Sequence, residues 1–217
     1  MHSGLGYESG ISPLAICCTF KNNEAISVLI SARGRVTSRA INSRLLQCAA
    51  AVNNAEAVQI LLTARCSLGP NDMGATPLRC AAGFGVIEAM DELLKHGNTS
   101  SLDATYALYT AAFPTGSAEM VHRLVEMMAD INARIDEYFK QPFLMRAIYT
   151  FKVLQHRFHK VTILSEILFH AKGATPLMIS LLSGNDECAA ALVAAGTNLN
   201  AQNSRGLTAA DLIRGRS

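Results

Sequence analysis

The sequence predicts an all-α protein, a solenoid of stacked helix-turn-helix units joined by short hairpin loops. The main observation is a phrase that occurs twice, as Gly74-Ala-Thr-Pro-Leu-Arg-Cys-Ala-Ala-Gly-Phe-Gly85 and as Gly173-Ala-Thr-Pro-Leu-Met-Ile-Ser-Leu-Leu-Ser-Gly184. Each copy is followed by an apolar helical run, Ile87–Leu94 or Cys188–Val193, and then by a glycine. A turn, a Thr-Pro helix start, a helix of small residues and a second amphipathic helix therefore form one repeating unit.

Weaker copies of the phrase become visible when the leucine after the proline is taken as a reference. Reference positions 14, 46, 78, 108, 143, 177 and 210 are separated by 32, 32, 30, 35, 34 and 33 residues. With this spacing and the closing segments Ala129-Asp-Ile-Asn-Ala133 and Thr197-Asn-Leu-Asn-Ala201, the chain resembles the ankyrin-repeat family from about Gly10 to Gly215. The resemblance implies one domain over residues 1–217, with repeats near 10–41, 42–73, 74–103, 104–138, 139–172 and 173–203 and a capping helix at 206–215.

The first two repeats are weaker copies. Ser12-Pro13 predicts the start of the first helix, because a serine side chain can accept from free backbone N–H groups and proline suits the first helical position. The second helix of this repeat is predicted over Glu24–Ser31. Repeat two has no Thr-Pro, and its helices are predicted over Arg44–Val52 and Ala55–Thr63.

Repeats three and four are closer to the pattern. Asn71-Asp72-Met73-Gly74 predicts a hairpin turn that joins repeat three to its predecessor. Repeat four is predicted to contain helices over Tyr106–Ala112 and Ala118–Met128, joined by Phe113-Pro114-Thr115-Gly116.

Repeat five departs from the pattern. Its helices are predicted over about Gln141–Tyr149 and Val161–His170, with the partly basic segment Phe151–Lys160 between them. This segment is either a longer solvated connection or an inserted element at the binding face, since irregular segments on rigid scaffolds often carry specificity. Repeat six is regular, and a helix over Thr208–Ile213 closes the stack.

Composition and charge argue against several classes of function. The net charge is +2, so the overall balance does not indicate a nucleic-acid or anionic-membrane partner. No apolar run approaches the roughly 20 residues that span a bilayer, and the N-terminus lacks the basic and apolar regions of a signal peptide. A cytoplasmic or nuclear location is expected.

The cysteines agree with a reducing compartment. Cys17, Cys18, Cys48 and Cys80 fall on the small-residue face of successive first helices, where they are predicted to be buried, reduced thiols in place of alanine. No cysteine pair with zinc-ligand spacing is joined to a second pair, so no metal site is expected. No cofactor is expected either.

The resemblance implies that recognition uses a concave face, formed by hairpin tips and by the two residues after the paired alanines of each first helix. Four of the twelve residues at those places are aromatic, whereas aromatic residues make up 6% of the chain. Such rings suit a peptide, a helix or a flat apolar ligand; alternatively, some of them fold back onto the neighbouring repeat as core. The residues predicted to bind are Phe20, Val52, Asp72, Met73, Arg79, Phe84, Phe113, Tyr138, Tyr149, His156 and Arg157.

A basic cluster could form the far wall of this face. Its members are Lys152, His156, Arg157, His159 and Lys160. A carboxylate, a phosphate or an acidic peptide side chain would be its natural partner. As part of a surface loop, the cluster could equally be solvated and inert.

The histidine that the family places after Thr-Pro-Leu is absent throughout. The resemblance implies that this side chain ties neighbouring loops by hydrogen bonds. Its absence predicts either hairpins that are held together less tightly than in the family, or a concave surface that binds a ligand. Its places hold Ala15, Gln47, Arg79, Tyr109, Leu144 and Met178.

Three hypotheses for function follow. The first is a non-catalytic module that binds a partner protein segment in a concave aromatic groove. The second is a small-molecule-binding protein or an acid–base or cyclisation enzyme, whose pocket is formed by the groove and residues 151–160; its candidate groups are His96, Tyr109, Asp103 and His159, although no known catalytic motif is present. The third is a homodimer formed through poorly capped ends, since the first repeat offers Ile16, Cys17 and Phe20 at its surface.

Overall fold

A computed structural model describes residues 12–33, 39–70, 74–96, 99–134 and 163–214, and the part it describes is helical, without strands. Its helices stack in pairs, which confirms the predicted all-α solenoid. The bounds are α1 Pro13–Thr19, α2 Asn23–Arg33, α3 Arg39–Ala51, α4 Ala55–Thr63, α5 Pro77–Phe84, α6 Ile87–Lys95, α7 Ser101–Ala111, α8 Ala118–Glu126, α9 Ile163–His170, α10 Pro176–Ser183, α11 Asp186–Ala194 and α12 Ala209–Arg214.

The Thr-Pro phrase sets the helix starts as predicted. The hydroxyl oxygens of Thr76 and Thr175 accept hydrogen bonds from the backbone N–H groups of Arg79 and Met178, and a proline occupies the first turn of each helix. Gly85 and Gly184 end the two helices in the left-handed conformation, at φ of 72° and 76°. The capping residues therefore define α5 and α10 at both ends.

Two first helices begin earlier than predicted. Helix α7 starts at Ser101 rather than Tyr106, because the Ser100 hydroxyl accepts the backbone N–H of Asp103 and caps an additional turn. Helix α3 starts at Arg39 rather than Arg44. The predicted helix over Gln141–Tyr149 lies outside the described residues.

Small side chains hold the first helices together. Helix α3 packs between α1 and α5, and α5 packs between α3 and α7. The paired alanines on these helices are almost completely buried. Since an alanine side chain ends at Cβ, it lets neighbouring helix backbones approach closely. The pairs are Ala49-Ala50, Ala81-Ala82 and Ala111-Ala112.

Repeats four and six are in direct contact. Second helix α8 packs directly against α11, the second helix of repeat six. The Asn185 side-chain amide donates to the carbonyls of Phe113 at 2.7 Å and Gly116 at 3.0 Å. Asn54 makes the same kind of bond to the Cys18 carbonyl between repeats one and two. In the described part of the chain, the second helices of repeats four and six are therefore direct neighbours.

A second pair of equivalent bonds supports this arrangement. Ala75 and Ala174 both stand two residues before the helix-starting proline of their repeats. The Gln47 amide donates to the Ala75 carbonyl at 2.6 Å, and the Tyr109 hydroxyl lies 3.1 Å from the Ala174 carbonyl. Tyr109 thus joins repeat four to repeat six as Gln47 joins repeat two to repeat three.

Segments from the end of repeat four and the start of repeat six meet at one loop. The Arg134 guanidinium donates to the Gly173 carbonyl at 3.3 Å, and the neighbouring Thr197 hydroxyl donates to the Ile131 carbonyl at 3.3 Å. Residues 129–134 and 171–175 consequently occupy the two sides of the connection between repeats four and six. In the sequence, residues 135–170 lie between these two segments, and α9 is the helix that directly precedes Ala171.

We predict that Tyr109→Phe lowers the free energy of unfolding by about 1–3 kcal/mol, because it removes the single O–H donor that the Ala133 and Ala174 carbonyls share. Urea denaturation followed by circular dichroism measures this loss. An unchanged midpoint with an unchanged slope would show that the hydroxyl does not hold repeat six to repeat four.

Candidate functional site

An apolar strip runs along the outer side of the first three first helices. It comprises Ile16, Phe20, Cys48, Val52, Cys80 and Phe84, two residues from each of three successive repeats. The two residues of each repeat are four positions apart, so they lie on one face of their helix. We call the side of the stack formed by the first helices, and turned away from the second helices, the first-helix face.

The rings at the two ends of the apolar strip are open to solvent. Phe20 is 77% exposed and Phe84 is 63% exposed. Ile16, one turn before Phe20, is 45% exposed. At these positions the rings do not fold back onto the neighbouring repeat as core.

Phe113 behaves differently from Phe20 and Phe84. Its side chain is half-buried and packs against the hydrophobic core, and its carbonyl accepts from Asn185. Six residues separate α7 from α8, whereas two separate α5 from α6, so Phe113 has a different setting from its counterparts. Phe113 therefore fits the alternative prediction that some of the rings pack into the core instead of lining the concave face.

The sequence predicts Cys48 and Cys80 as buried thiols in place of alanine, but the structure makes them members of the apolar strip. They stand one position before the alanine pairs and are only half-buried. Cys18, which occupies an alanine position, is fully buried as predicted, whereas Cys17, at the other position of the alanine pair, is only half-buried. Cys48 and Cys80 both stand two residues after the reference leucine of their repeats, as Ile16 does, and this shared position could have indicated that they belong to the strip.

Arg79 and Asp103 form a cluster with Thr76 beside the hairpin loops. The Arg79 Nε atom lies 2.9 Å from Asp103 Oδ1, which also accepts the Thr76 hydroxyl at 3.0 Å. Arg79 Nη1 donates to the Gly74 carbonyl at 2.7 Å, and its guanidinium lies 4.2 Å from the centre of the Tyr106 ring. The charges of this cluster are therefore already paired.

The prediction of looser hairpins is wrong for repeats two to four. Gln47, Arg79 and Tyr109 occupy the places of the family's histidine, and each binds a loop carbonyl. Their longer side chains replace the missing imidazole as donors. The hairpins are tied by different groups rather than left free.

A cavity of about 290 Å³ lies next to this cluster. Its walls include Leu68, Pro70, Arg79, Thr99 and Asp103. Its wall does not include Phe84 or Phe113, which were expected to line a small-molecule pocket. The apolar strip and this cavity are separate features.

The catalytic candidates have separate partners. His96 Nε2 lies 3.0 Å from Glu92 Oε1 at the end of α6. Asp103 is paired with Arg79, and Tyr109 is buried with its hydroxyl on the Ala133 and Ala174 carbonyls. Each group serves a contact within or between repeats.

Seven predicted site residues lie outside the described residues. They are Asp72, Met73, Tyr138, Tyr149, His156, Arg157 and His159. Within the described ranges, no cluster of three or more His, Cys, Asp or Glu side chains is arranged to hold a metal ion. Nor does any helix there have the length and apolar character needed to cross a membrane.

Burial suppresses the acidity of several thiols. It raises the pKa of Cys18 to about 12 and the pKa of Cys80 to about 11. The pKa of the Cys66 and Cys188 thiols is likewise raised by burial, in each case to about 11. These thiols stay protonated near neutral pH, which makes them poor nucleophiles.

Comparisons with known proteins agree with the stacked architecture. A family model described as ankyrin repeats (3 copies) matches residues 45–135, and a second, described as an ankyrin repeat, matches residues 172–204; together they cover more than half of the chain. The gap between these matches, residues 136–171, falls between repeats four and six. No curated protein matches the sequence significantly.

A solved structure with a similar fold is the crystal structure of the ankyrin repeat domain of Bcl-3, described as a unique member of the IkappaB protein family. The TM-score is 0.68 at 23% sequence identity, over 96% of this chain and 82% of that chain. At this identity the likeness shows the fold alone.

We predict that Asp103→Asn lowers the free energy of unfolding by about 1 kcal/mol, because a neutral amide oxygen accepts more weakly from the Arg79 guanidinium. Glu119→Gln is the matched control, since it makes the same change in the more exposed pair with Arg123. Chemical denaturation at low and high salt measures both losses. Equal small losses would show that the Arg79–Asp103 pair does not stabilise the hairpins.

We predict that stability falls as the pH rises from about 9 to about 11. The folded state holds protons on the buried thiols that the unfolded state releases, so the free energy of unfolding decreases through this window, by at most about 1.4 kcal/mol per pH unit for each thiol. Urea denaturation at pH 8 and pH 10.5 measures the change. Cys80→Ala should flatten the dependence, and an identical slope in that variant would contradict the assignment to Cys80.

Proposed function

Because this chain belongs to the ankyrin-repeat family, whose repeats generally form protein–protein interaction modules, we propose that it binds a segment of a partner protein on the apolar strip. The observation that carries this proposal is the exposure of Phe20 and Phe84 on helices whose opposite sides are packed in the core. Aromatic side chains, phenylalanine among them, are enriched in the buried cores of protein interfaces.

The rigidity of the support favours recognition over a purely structural role for the rings. Leu46 and Leu78, on the same helices as the strip, are buried in the core. Few degrees of freedom are lost when a partner binds side chains held in this way. Covering a phenylalanine ring fully contributes about 1.5–3 kcal/mol, so two rings supply the core of a moderate interface.

The chemistry of the strip indicates the kind of partner. Its six members carry phenyl, aliphatic and thiol groups, and none of them is charged at neutral pH. The complementary surface is therefore the apolar side of an amphipathic segment. An acidic or basic segment without apolar residues would lose hydration here and gain no ion pair.

The test compares the intact chain with surface variants of it. We predict that Phe84→Ala and Phe20→Ala each weaken partner binding at least tenfold, which corresponds to about 1.4 kcal/mol. Their unfolding midpoints should change little, because exposed side chains contribute within about 0.5 kcal/mol to stability. Quantitative capture from a native extract identifies proteins whose recovery depends on both rings, and calorimetric titration of the purified partner measures the affinity.

Two controls make this test decisive. Met128→Ala removes a side chain that is 78% exposed but lies outside the strip, and it should leave binding unchanged. Phe113→Ala removes a half-buried ring, and it should lower stability. Partner recovery that is equally sensitive to Met128→Ala, or insensitive to both strip variants, would overturn the proposal. Light scattering of the purified chain shows whether the captured partner is a second copy of it.

A further inference from the structure

The cavity beside the Arg79–Asp103 cluster is built from parts of the chain that are distant in sequence. Its walls come from the residues after α4, from the start of α5, from α6, and from the start of α7. The additional first turn of α7, which Ser100 caps, carries Asp103 into the wall. The volume of about 290 Å³ stands at the lower end of the roughly 300–1,000 Å³ that is typical of ligand pockets. A small molecule is therefore the ligand that this cavity suits.

One part of the cavity wall is apolar and fixed in position. Leu78 and Leu93 line the cavity and are buried in the core, and Leu68 is half-buried against the same core. Leu102 also lines the cavity but is exposed, so it marks the side that opens to solvent. Because the three inner leucines are already packed, the apolar wall is preformed, which lowers the cost of ordering it around a ligand.

The polar part of the wall retains hydrogen-bonding groups that the fold does not use. Asp103 Oδ1 accepts from both Arg79 Nε and the Thr76 hydroxyl, whereas Asp103 Oδ2 accepts no hydrogen bond from the described residues. Arg79 Nη1 donates to the Gly74 carbonyl, whereas Nη2 donates to no group in the described part of the chain. The cluster thus keeps one free acceptor on its carboxylate and one free donor on its guanidinium.

A neutral carboxamide complements this pair of groups. The carbonyl oxygen of an amide accepts from a guanidinium, and its N–H donates to a carboxylate, so both bonds are charge-assisted. A ligand anion would be repelled by Asp103 and a ligand cation by Arg79, since the two charges already compensate each other. An amide also loses less hydration than an ion when it enters a partly apolar cavity.

We propose that this cavity binds a small, neutral molecule that carries a primary carboxamide on a compact apolar group. The amide oxygen binds Arg79 Nη2, the amide nitrogen binds Asp103 Oδ2, and the apolar group packs on the leucine wall. This site is separate from the apolar strip. Its ligand is therefore independent of the partner proposed for the strip, and either proposal can fail without the other.

The test titrates benzamide into the intact chain and follows the leucine methyl groups by NMR. We expect saturable shifts at the methyl groups of Leu68, Leu78 and Leu93. Benzoate and acetophenone are matched probes, because each keeps the ring and the carbonyl but lacks the amide N–H. They should bind at least about tenfold more weakly than benzamide, as expected for the loss of a hydrogen bond to a charged group. Equal affinity of the three probes would overturn the assignment to an amide.

Variants test whether the named groups form the site. Asp103→Asn should weaken benzamide binding about tenfold, because a neutral amide oxygen is a weaker acceptor. Glu119→Gln makes the same change outside the cavity and should leave the affinity unchanged. Thr99→Phe enlarges a wall side chain and should block binding, and it decides the result if Asp103→Asn does not fold. Phe84→Ala, in the apolar strip, should have no effect on benzamide.

A peptide probe distinguishes a free ligand from a protein side chain. A capped peptide with a central glutamine carries the same carboxamide, and we expect it to bind more weakly than benzamide because its backbone does not enter so small a cavity. Binding of the peptide without binding of benzamide would overturn the assignment to a small molecule. The absence of saturable benzamide shifts, shifts confined to the apolar strip, or equal responses of Asp103→Asn and Glu119→Gln would show that the cavity is not an amide site.

Discussion

Close approach of the first helices is the constraint on which the structure depends. The paired alanines of these helices are almost completely buried, and their small side chains let α3, α5 and α7 pack closely. Because the helices are so near, one side chain can reach the loop of the next repeat, as Gln47 and Tyr109 do. Glycine serves the same purpose at Gly85, where a Cβ would collide with the Thr115 carbonyl of the following repeat. The polar ties between loops are therefore consequences of small residues elsewhere.

The fold was predictable because its signals are local. A capping threonine, a proline in the first turn and a terminal glycine specify α5 and α10 without reference to the rest of the chain. The stacking order could not be predicted from such local signals. From position 108 to position 177 there are 69 residues, about twice the repeat period, so spacing alone was satisfied by a repeat between them. The hydrogen bonds that Asn185 and Tyr109 make across that interval show which repeats are in contact. The spacing of the repeats does not predict these bonds.

The candidate site was predictable to a similar extent. The places of Phe20 and Phe84 follow from the register, and the structure leaves both rings exposed. Phe113 could not be placed in this way, since the connection after α7 is longer and its ring is half-buried against the core. The role of Arg79 depends on Asp103, which lies 24 residues away and before Tyr106, where the sequence predicts the helix to start. Pairings between repeats decide such roles, and a single sequence does not display them.

The hydrogen bond from Arg134 to the Gly173 carbonyl joins two segments that lie 39 residues apart in the sequence. It indicates how a repeat array can accommodate additional residues between two repeats. When a loop is lengthened while its ends stay fixed, the entropic cost of closing it rises only logarithmically, by about 0.6 kcal/mol for each doubling of its length. Helices α8 and α11 pack directly against each other, although the sequence between them is about twice as long as one repeat. This connection is accordingly a natural graft point, where a reporter domain or a foreign epitope could be accommodated without disturbing the superhelix.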